Sequence, residues 1–109
     1  MKDPDIYLKN ILDKAREAVG YCDNISKESF LEDDKTQSAV ILKLIIVGEE
    51  AKKLSEEIQS KIDLPWRMII GFRNMAVHEY FSIDVSQIWI TVKIDLPDLI
   101  KRIETYLKS

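Results

Sequence analysis

The chain has few residues of the kinds that form tight loops, metal sites and covalent crosslinks. Its 109 residues include three glycines, three prolines, one cysteine and one histidine. The single cysteine, Cys22, allows no internal disulfide, and together with one histidine it cannot build a structural zinc site. No glycine has another glycine at the spacing of a phosphate-binding loop, which excludes nucleotide sites of the Walker and Rossmann kinds.

Long apolar segments and a surplus of positive charge are also lacking. The longest apolar run, residues 39–48, is interrupted by Lys43 and falls far short of the roughly 20 residues that span a bilayer. The N-terminal segment has no apolar stretch typical of a signal peptide, so we expect a cytoplasmic protein without a membrane partner. With 16 basic and 19 acidic residues the net charge is -3, so any binding of nucleic acid must depend on a local site.

What the chain does contain is amphipathic, helix-forming sequence. Hydrophobic residues make up 46% and charged residues 32% of the chain, a composition typical of a helix-rich globular protein. The length fits a single domain over residues 1–109. The pattern predicts an all-α fold, an up-and-down four-helix bundle with a short extra helical turn near Phe30 and Leu31.

Capping residues and prolines predict where three of the long helices begin. The first helix should start at Pro4 with Asp3 as its cap, because proline suits the first helical position and aspartate accepts a bond from a free amide. The third should open at Pro65, and the last should start from a capping box at Asp84. Pro97 lies inside the apolar pattern of the last helix and predicts a kink or break just before it.

The second long helix is predicted from its cap and its apolar spacing. Asp34, with Gln37 three residues later, predicts a capping box, and apolar residues then recur at helical spacing through Ile58. Gly48 lies on this apolar stripe and predicts the close approach of another helix. The charged face between Glu49 and Glu57 is most simply a solvated surface.

The apolar positions are numerous for a chain of this size. Their stripes are broad on the second and last helices, beyond what a narrow contact seam needs. This surplus predicts a buried homodimer interface.

The segment GFRNMAVHEYFS holds the only histidine of the chain, His78, together with Arg73, Asn74 and Tyr80. On a continuous helix Asn74 and His78 lie one turn apart on the same face, whereas Arg73 and His78 differ by about 140° of rotation. If the helix ends near His78, the imidazole and the Tyr80 phenol can turn toward the arginine or toward a symmetry partner.

These residue types suit the cleavage of RNA. A histidine with a reference pKa of about 6.5 can take a proton from a 2′-hydroxyl and give one to a leaving 5′-oxygen. The arginine fork matches a phosphate and can stabilise the charged phosphorane. General acid and general base are usually separate groups, so one histidine per chain points to a two-fold dimer that brings two copies together.

The same residues also have a purely structural interpretation. A histidine at a helix C-terminus often caps the helix or compensates its dipole. Arg73 would then be a surface or ion-pair residue, Asn74 a helix-end polar group and Tyr80 an amphipathic residue at the edge of the core. Spacing alone leaves both interpretations open.

The segment LPWRMIIGFRNMAVHEYF resembles the signature of HepT-like HEPN-domain proteins. That signature has an arginine and a polar residue followed, after a short spacer, by histidine, any residue and tyrosine, and Arg73, Asn74, His78 and Tyr80 match it in order. The sequence that follows Phe81, with a proline in the last helix, is also similar to the family. The resemblance covers most of the chain and is strongest from residue 64 to the C-terminus.

The resemblance implies a small dimeric α-helical ribonuclease toxin that needs no metal or other cofactor. Arg73 and His78 would be its catalytic residues, paired across a cleft at the dimer interface, and Asn74 would orient phosphate or His78. The implied partner is an MntA-like nucleotidyltransferase, the antitoxin of a type VII toxin–antitoxin system, which transfers AMP from ATP onto Tyr80 and blocks the RNA site. The alternative within the family is a non-catalytic scaffold or nucleotide-binding partner of such a nucleotidyltransferase.

Further cations near the motif would give an acidic chain a local basic cleft. Arg67 precedes the motif on the same predicted helix. Three cations of the last helix are expected on the same side of the bundle, namely Lys93, Lys101 and Arg102.

Overall fold

The computed structural model describes residues 3–109, and every regular element among them is helical. We number the α-helices in chain order: α1 Pro4–Tyr21, α2 Lys27–Leu31, α3 Asp34–Lys52, α4 Glu56–Ser60, α5 Trp66–His78, α6 Val85–Ile90 and α7 Leu96–Leu107. A 3-10 turn, Tyr80–Ser82, follows α5, and a π turn, Thr91–Asp95, connects α6 to α7. The prediction of an all-α fold is confirmed.

Helix α3 is the central packing element for the part of the chain that carries the motif. It packs against both α1 and α5, and α7 packs against α1. This arrangement is compatible with the predicted bundle, with α1, α3, α5 and the α6–α7 segment as its long units. Because α3 is the main neighbour of α5, the contact between these two helices decides where the α5 side chains lie.

The core is entirely apolar among the described residues, with no buried polar or charged side chain. Its largest fully buried side chains come from α1 and the residue after it, α2, α3, α7 and the π turn, and they are Phe30, Leu8, Ile11, Ile103, Val40, Val92 and Cys22. Burial also raises the pKa of the Cys22 thiol, which keeps it in the unreactive protonated form. The cysteine therefore serves as a small hydrophobic residue.

Side-chain caps start the first and sixth helices at the predicted residues, although no Gln87 side-chain hydrogen bond among residues 3–109 closes the predicted capping box with Asp84. The Asp3 carboxylate accepts a hydrogen bond from the backbone N–H of Asp5 at 3.0 Å, with Pro4 in the first helical position. The Asp84 carboxylate accepts from the backbone N–H of Ser86 at 2.9 Å. Each cap satisfies an amide that the helix leaves without an internal partner, so these two starts are fixed locally.

The cap of α3 differs from the prediction by one residue. Asp33, not Asp34, is the cap: its carboxylate accepts from the backbone N–H of Thr36 at 3.0 Å, and its own φ of -109° and ψ of 86° lie outside the helix. Gln37 does not close a capping box but donates from its side chain to the carbonyl of Phe30 at 2.9 Å. It thereby ties the short helix α2 to α3.

The end of α3 also corrects the prediction, because the helix stops at Lys52 instead of continuing through Ile58. Ser55 caps the separate helix α4 by accepting from the backbone N–H of Ile58 at 3.2 Å. The Gln59 side chain donates to the last-turn carbonyl of Ala51 at 3.2 Å. Leu54 is still buried, so the apolar period continues across a break in the helix.

The expected irregularity before Pro97 is a π turn. Proline lacks the N–H that a continuous α-helix would need there, and the residues before it take the wider turn instead. Lys93 on this turn donates to the Cys22 carbonyl at the end of α1 at 2.9 Å, and its ammonium lies 4.8 Å from the centre of the Trp89 ring. The π turn therefore joins the last long segment to the first helix.

Gly48 is a point of close approach between α3 and α5, as its position on the apolar stripe predicts. A Cβ built on Gly48 would overlap the Cβ of Arg73 and lie 3.0 Å from the carbonyl oxygen of Ile69. The neighbours include helix backbone, which cannot move aside as a flexible side chain can. Only glycine allows α5 to lie this close to α3.

We expect Gly48→Ala to destabilise the protein although alanine favours helix. Overpacking between the two helices should lower the free energy of unfolding by about 1–3 kcal/mol, partly offset by the roughly 1 kcal/mol that alanine gains in a helix. Urea denaturation followed by circular dichroism measures the change. Gly20→Ala is the matched control, because a Cβ there meets nothing within 4 Å, and it should not destabilise. Equal stability of the two variants would contradict the close-packing interpretation.

Candidate active site

Helix α5 is fixed at its start and ends at the histidine. The indole N–H of buried Trp66 is shared by the carbonyls of Gln59 and Ile62, each at 3.0 Å. At the other end the backbone leaves the helix at Glu79, with φ of -137° and ψ of 50°, directly after His78. The condition considered from the sequence, a helix that ends near Val77 or His78, is met, and the motif occupies the last turns of α5.

The Arg73 side chain lies against α3 and reaches back over α5. Its Nε and Nη2 atoms each lie 3.4 Å from Oε1 of Glu49 on α3. Its Nη1 donates to Oδ1 of Asn74 at 3.0 Å. The guanidinium thus extends from the α3 side of α5 to Asn74. Asn74 lies on the same face of α5 as His78, so this contact brings the guanidinium toward the face that carries the histidine.

His78 is exposed as the last residue of α5. Asn74 precedes it by one helical turn, about 6 Å along the axis. Within residues 3–109 no hydrogen bond joins the imidazole to Arg73 or Asn74. The structure therefore joins Arg73 to Asn74 directly and places His78 one turn away, open to a substrate or to another chain.

Tyr80 turns toward α3 instead of toward the arginine. Its hydroxyl lies 3.2 Å from Oγ of Ser38 in the N-terminal half of α3, and its side chain is 42% exposed. Ser38 and Glu49 are separated by roughly 16 Å along α3, from the rise of an α-helix. The adjacent Phe81 is fully exposed and stands edge-on to the Tyr80 ring, with 5.9 Å between ring centres.

Two α3 residues that contact the motif were missed by sequence reasoning. Glu49 was assigned to a solvated charged face, and Ser38 was not singled out. One signal was available for Glu49, because it follows Gly48, where close approach of another helix was expected. For Ser38 no local signal exists, because its partner Tyr80 lies 42 residues further along the chain.

The cations expected from the last helix do not gather around Arg73. Lys93 is engaged at the end of α1. Arg102 donates to Asp98 at 2.9 Å, and this carboxylate raises the pKa of the guanidinium. Lys101 lines a polar depression near the C-terminus that contains none of the motif residues. The predicted basic cleft is therefore reduced to Arg73 and, on the same helix, the exposed Arg67.

An apolar groove of about 440 Å³ runs between α5 and the α6–α7 segment. Its lining includes Met68 and Phe72 from α5, Ile88 and Leu99 from the last segment, and Leu44 from α3. None of the four motif residues lines it. The groove is thus a separate feature on another side of α5.

A comparison with known protein families places the chain in one of them. The family model described as "Ribonuclease HepT-like" matches residues 11–106, which include the whole of α5 and the Tyr80 turn. The chain belongs to the HepT-like ribonuclease family. The resemblance of the motif to that family is thereby confirmed.

Relatives from three organisms align with nearly the full chain. A protein of Methanocaldococcus jannaschii named as a candidate RNase is 34% identical, covering 99% of this chain and 90% of its own. A candidate RNase of Caldanaerobacter subterraneus subsp. tengcongensis is 34% identical, covering 100% and 98%. A protein of Thermococcus cleftensis named as a probable ribonuclease HepT is 36% identical, covering 94% of each chain. No solved structure matches the chain.

Two other features are absent from the described residues of this HepT-like chain. No helix in the described part of the chain is both long enough and apolar enough to cross a membrane. Among residues 3–109, no group of three or more His, Cys, Asp or Glu side chains is arranged to hold a metal ion. The motif itself holds the Arg73–Asn74 pair and the exposed His78.

Proposed function

We propose that the protein is a metal-independent endoribonuclease and the toxin of a type VII toxin–antitoxin system. The observation that carries the proposal is the contact of the Arg73 guanidinium with Asn74, one turn before the exposed imidazole of His78. This arrangement offers a phosphate-binding fork and a proton-transfer group on neighbouring turns of one helix. Membership of a ribonuclease family supports the same chemistry.

The proposed reaction uses the 2′-hydroxyl of RNA as its nucleophile. Neutral His78 accepts the hydroxyl proton while the oxygen attacks the adjacent phosphorus, and a His78 imidazolium protonates the 5′-oxygen as the P–O5′ bond breaks. The products are a 2′,3′-cyclic phosphate and a free 5′-hydroxyl. Arg73 stabilises the charged phosphorane, and Asn74 holds the guanidinium in place by accepting from Nη1.

A two-fold dimer would supply the second histidine that this reaction needs. Exposed apolar side chains on and after α5 support such an interface, and they include Met68 with 73% exposed, Val77 with 49% and Phe81. Gly71 adds a further reason, because it is an exposed glycine inside α5 with nothing within 4 Å of where a Cβ would stand. A mid-helix glycine costs about 1 kcal/mol, and close approach of a second copy would account for it.

The proposed off switch is the transfer of AMP to Tyr80 by an MntA-like nucleotidyltransferase. The phenol oxygen would attack the α-phosphorus of ATP, pyrophosphate would leave, and the phenolic proton would pass to a base or to water. The exposure of Tyr80 and its turn immediately after His78 support this role. The added phosphodiester would place bulk and negative charge just after His78, about 16 Å along α3 from the Arg73 contact, where it would obstruct and repel an RNA strand that extends past the histidine.

A non-catalytic partner subunit of a nucleotidyltransferase is the second candidate. Two observations favour it. The ion pair with Glu49 neutralises the charge of Arg73, and the net charge of the chain is -3, so the electrostatic attraction for RNA is weak. In this case the α5 surface would dock the nucleotidyltransferase and cleave nothing. The two functions differ in what happens to RNA.

We expect His78→Ala to lower the rate of RNA cleavage by about 10²-fold or more, the usual contribution of a general acid or base. Cleavage of labelled single-stranded RNA and growth of expressing cells measure the effect. Lys101→Gln, a charge change on α7 outside the motif, should cleave like the wild type. Intact RNA and normal growth with both wild type and His78→Ala would favour the partner subunit instead.

Incubation with the cognate nucleotidyltransferase and ATP should add one or more AMP groups to the chain by mass spectrometry. Tyr80→Phe should abolish the first addition, because it removes the accepting oxygen. Tyr21→Phe is the matched control, since Tyr21 is 41% exposed against 42% for Tyr80. An adduct that persists in Tyr80→Phe but is lost in Tyr21→Phe would place the modification elsewhere.

The dimer is tested at Gly71. Sedimentation should give two chains for the wild type and one for Gly71→Leu, since a Cβ at position 71 has no atom of its own chain within 4 Å and the larger side chain would obstruct a neighbour. Gly20→Leu, a similar change on α1, should leave the assembly unchanged. A wild type that sediments as one chain, or a Gly71→Leu variant that remains a dimer, would contradict the proposed interface.

A further inference from the structure

Three of the five N–H groups of Arg73 are already engaged within the chain. Nε–H and one N–H of Nη2 point to the Glu49 carboxylate, and one N–H of Nη1 points to Asn74. One N–H on Nη1 and one on Nη2 remain for a phosphate. The Nε–Nη2 edge, which could otherwise take a phosphate in two-point fashion, faces a carboxylate of opposite charge.

The contact between Arg73 and Glu49 is loose. Both N···O distances are 3.4 Å, longer than the roughly 2.7–2.9 Å of a strong bond between charged groups. The Glu49 side chain is 48% exposed, so water screens the pair. Arg102 and Asp98, at 2.9 Å, show the tighter pairing that the same chain makes elsewhere. A loose, screened pair can exchange one anion for another at little cost.

The position of Glu49 follows from the packing of the two helices. Glu49 is the residue after Gly48, where α3 comes into contact with the stem of the Arg73 side chain and with the backbone carbonyl of Ile69. Any residue at this position projects beside the guanidinium, so its charge acts directly on the phosphate-binding group. The proposed activity requires RNA binding, and a carboxylate at this position opposes it because both groups are negatively charged.

We propose that Glu49 is a built-in competitor of the RNA phosphate. Its carboxylate holds Arg73 by the Nε–Nη2 edge and cancels its charge until the phosphate replaces it. The proposal rests on the ribonuclease function proposed above, because the competing ligand is the substrate phosphate. Glu49 acts through Arg73 and touches no reacting atom, so it is a positioning residue.

As a consequence, the site selects RNA phosphates by the number and length of the hydrogen bonds that they make to Arg73. A phosphate that only passes near Arg73 gains nothing over the carboxylate, whereas one that makes two short bonds to the fork displaces it. Glu49 therefore lowers the affinity for RNA as a whole. It changes the Michaelis complex and the transition state alike, so its effect falls on KM and leaves kcat nearly unchanged.

The test is Glu49→Gln, which keeps the shape of the side chain and removes its charge. Its affinity for a short single-stranded RNA, measured by fluorescence anisotropy in a His78→Ala background that prevents cleavage, should rise by about two- to fivefold at low salt. The gain should shrink as salt screens the pair. With His78 present, KM should fall by a similar factor. A merely structural defect would weaken binding or lower kcat instead.

Two matched variants separate the competitor from a general charge effect. Glu56→Gln removes the same charge from the exposed first turn of α4 and should leave RNA affinity unchanged. In an Arg73→Gln background, Glu49→Gln should give no gain, because the group through which it acts is absent. An equal gain in Glu56→Gln, or a gain that survives without Arg73, would overturn the proposal.

The remaining outcomes distinguish this proposal from the proposed function. Unchanged or weaker RNA binding by Glu49→Gln, together with cleavage that depends on His78, overturns the competitor and leaves the ribonuclease standing. If Glu49→Gln binds RNA more tightly and no form cleaves it, the proposed ribonuclease function is overturned, while the proposal that Glu49 competes with phosphate for Arg73 stands. Absence of RNA binding by every form overturns both.

Discussion

The close contact of α3 with α5 at Gly48 is the constraint on which the candidate site depends. Without a side chain at position 48, the backbone of α5 can lie against α3 with the Arg73 stem in the gap. That contact turns the guanidinium toward Glu49 and Asn74. Protein interiors are densely packed and leave little room to shift such a contact. The position of the Arg73 guanidinium at the surface of α5 therefore depends on the absence of a side chain at Gly48.

Features set by local chemistry were predictable from the sequence. The cap at Asp3 with Pro4 behind it, the helix end at His78 and the irregularity before Pro97 each depend on residues within a few positions. The close approach at Gly48 was also predictable, because a glycine that costs helix stability on an apolar stripe usually marks a packing contact. The motif itself was predictable as a pattern, though its spacing on a helix left open how Arg73 would meet the other groups.

Features set by the tertiary fold were not predictable. Asp33 and Asp34 are equivalent as caps in the sequence, and the choice depends on where α2 docks. The end of α3 was hidden because Leu54 stays buried beyond the break, so apolar spacing continues where the helix does not. Glu49 looked like part of a solvated face because its partner, Arg73, lies 24 residues away. A charge pattern in the sequence gives the type of each residue, whereas its partner in the fold depends on how the helices pack.

The contact between Tyr80 and Ser38 joins residues far apart in the sequence, which determines when during folding the Tyr80 surface can form. The two residues are 42 positions apart and meet only when α3 and the turn after α5 have both formed and docked. Any enzyme that acts on the Tyr80 hydroxyl in this setting reads a surface assembled from two distant segments, not a linear peptide. A chain still emerging from the ribosome does not present that surface. The same docking event joins Arg73 to α3, so the Arg73 contact and the Tyr80 surface form together in a newly made molecule.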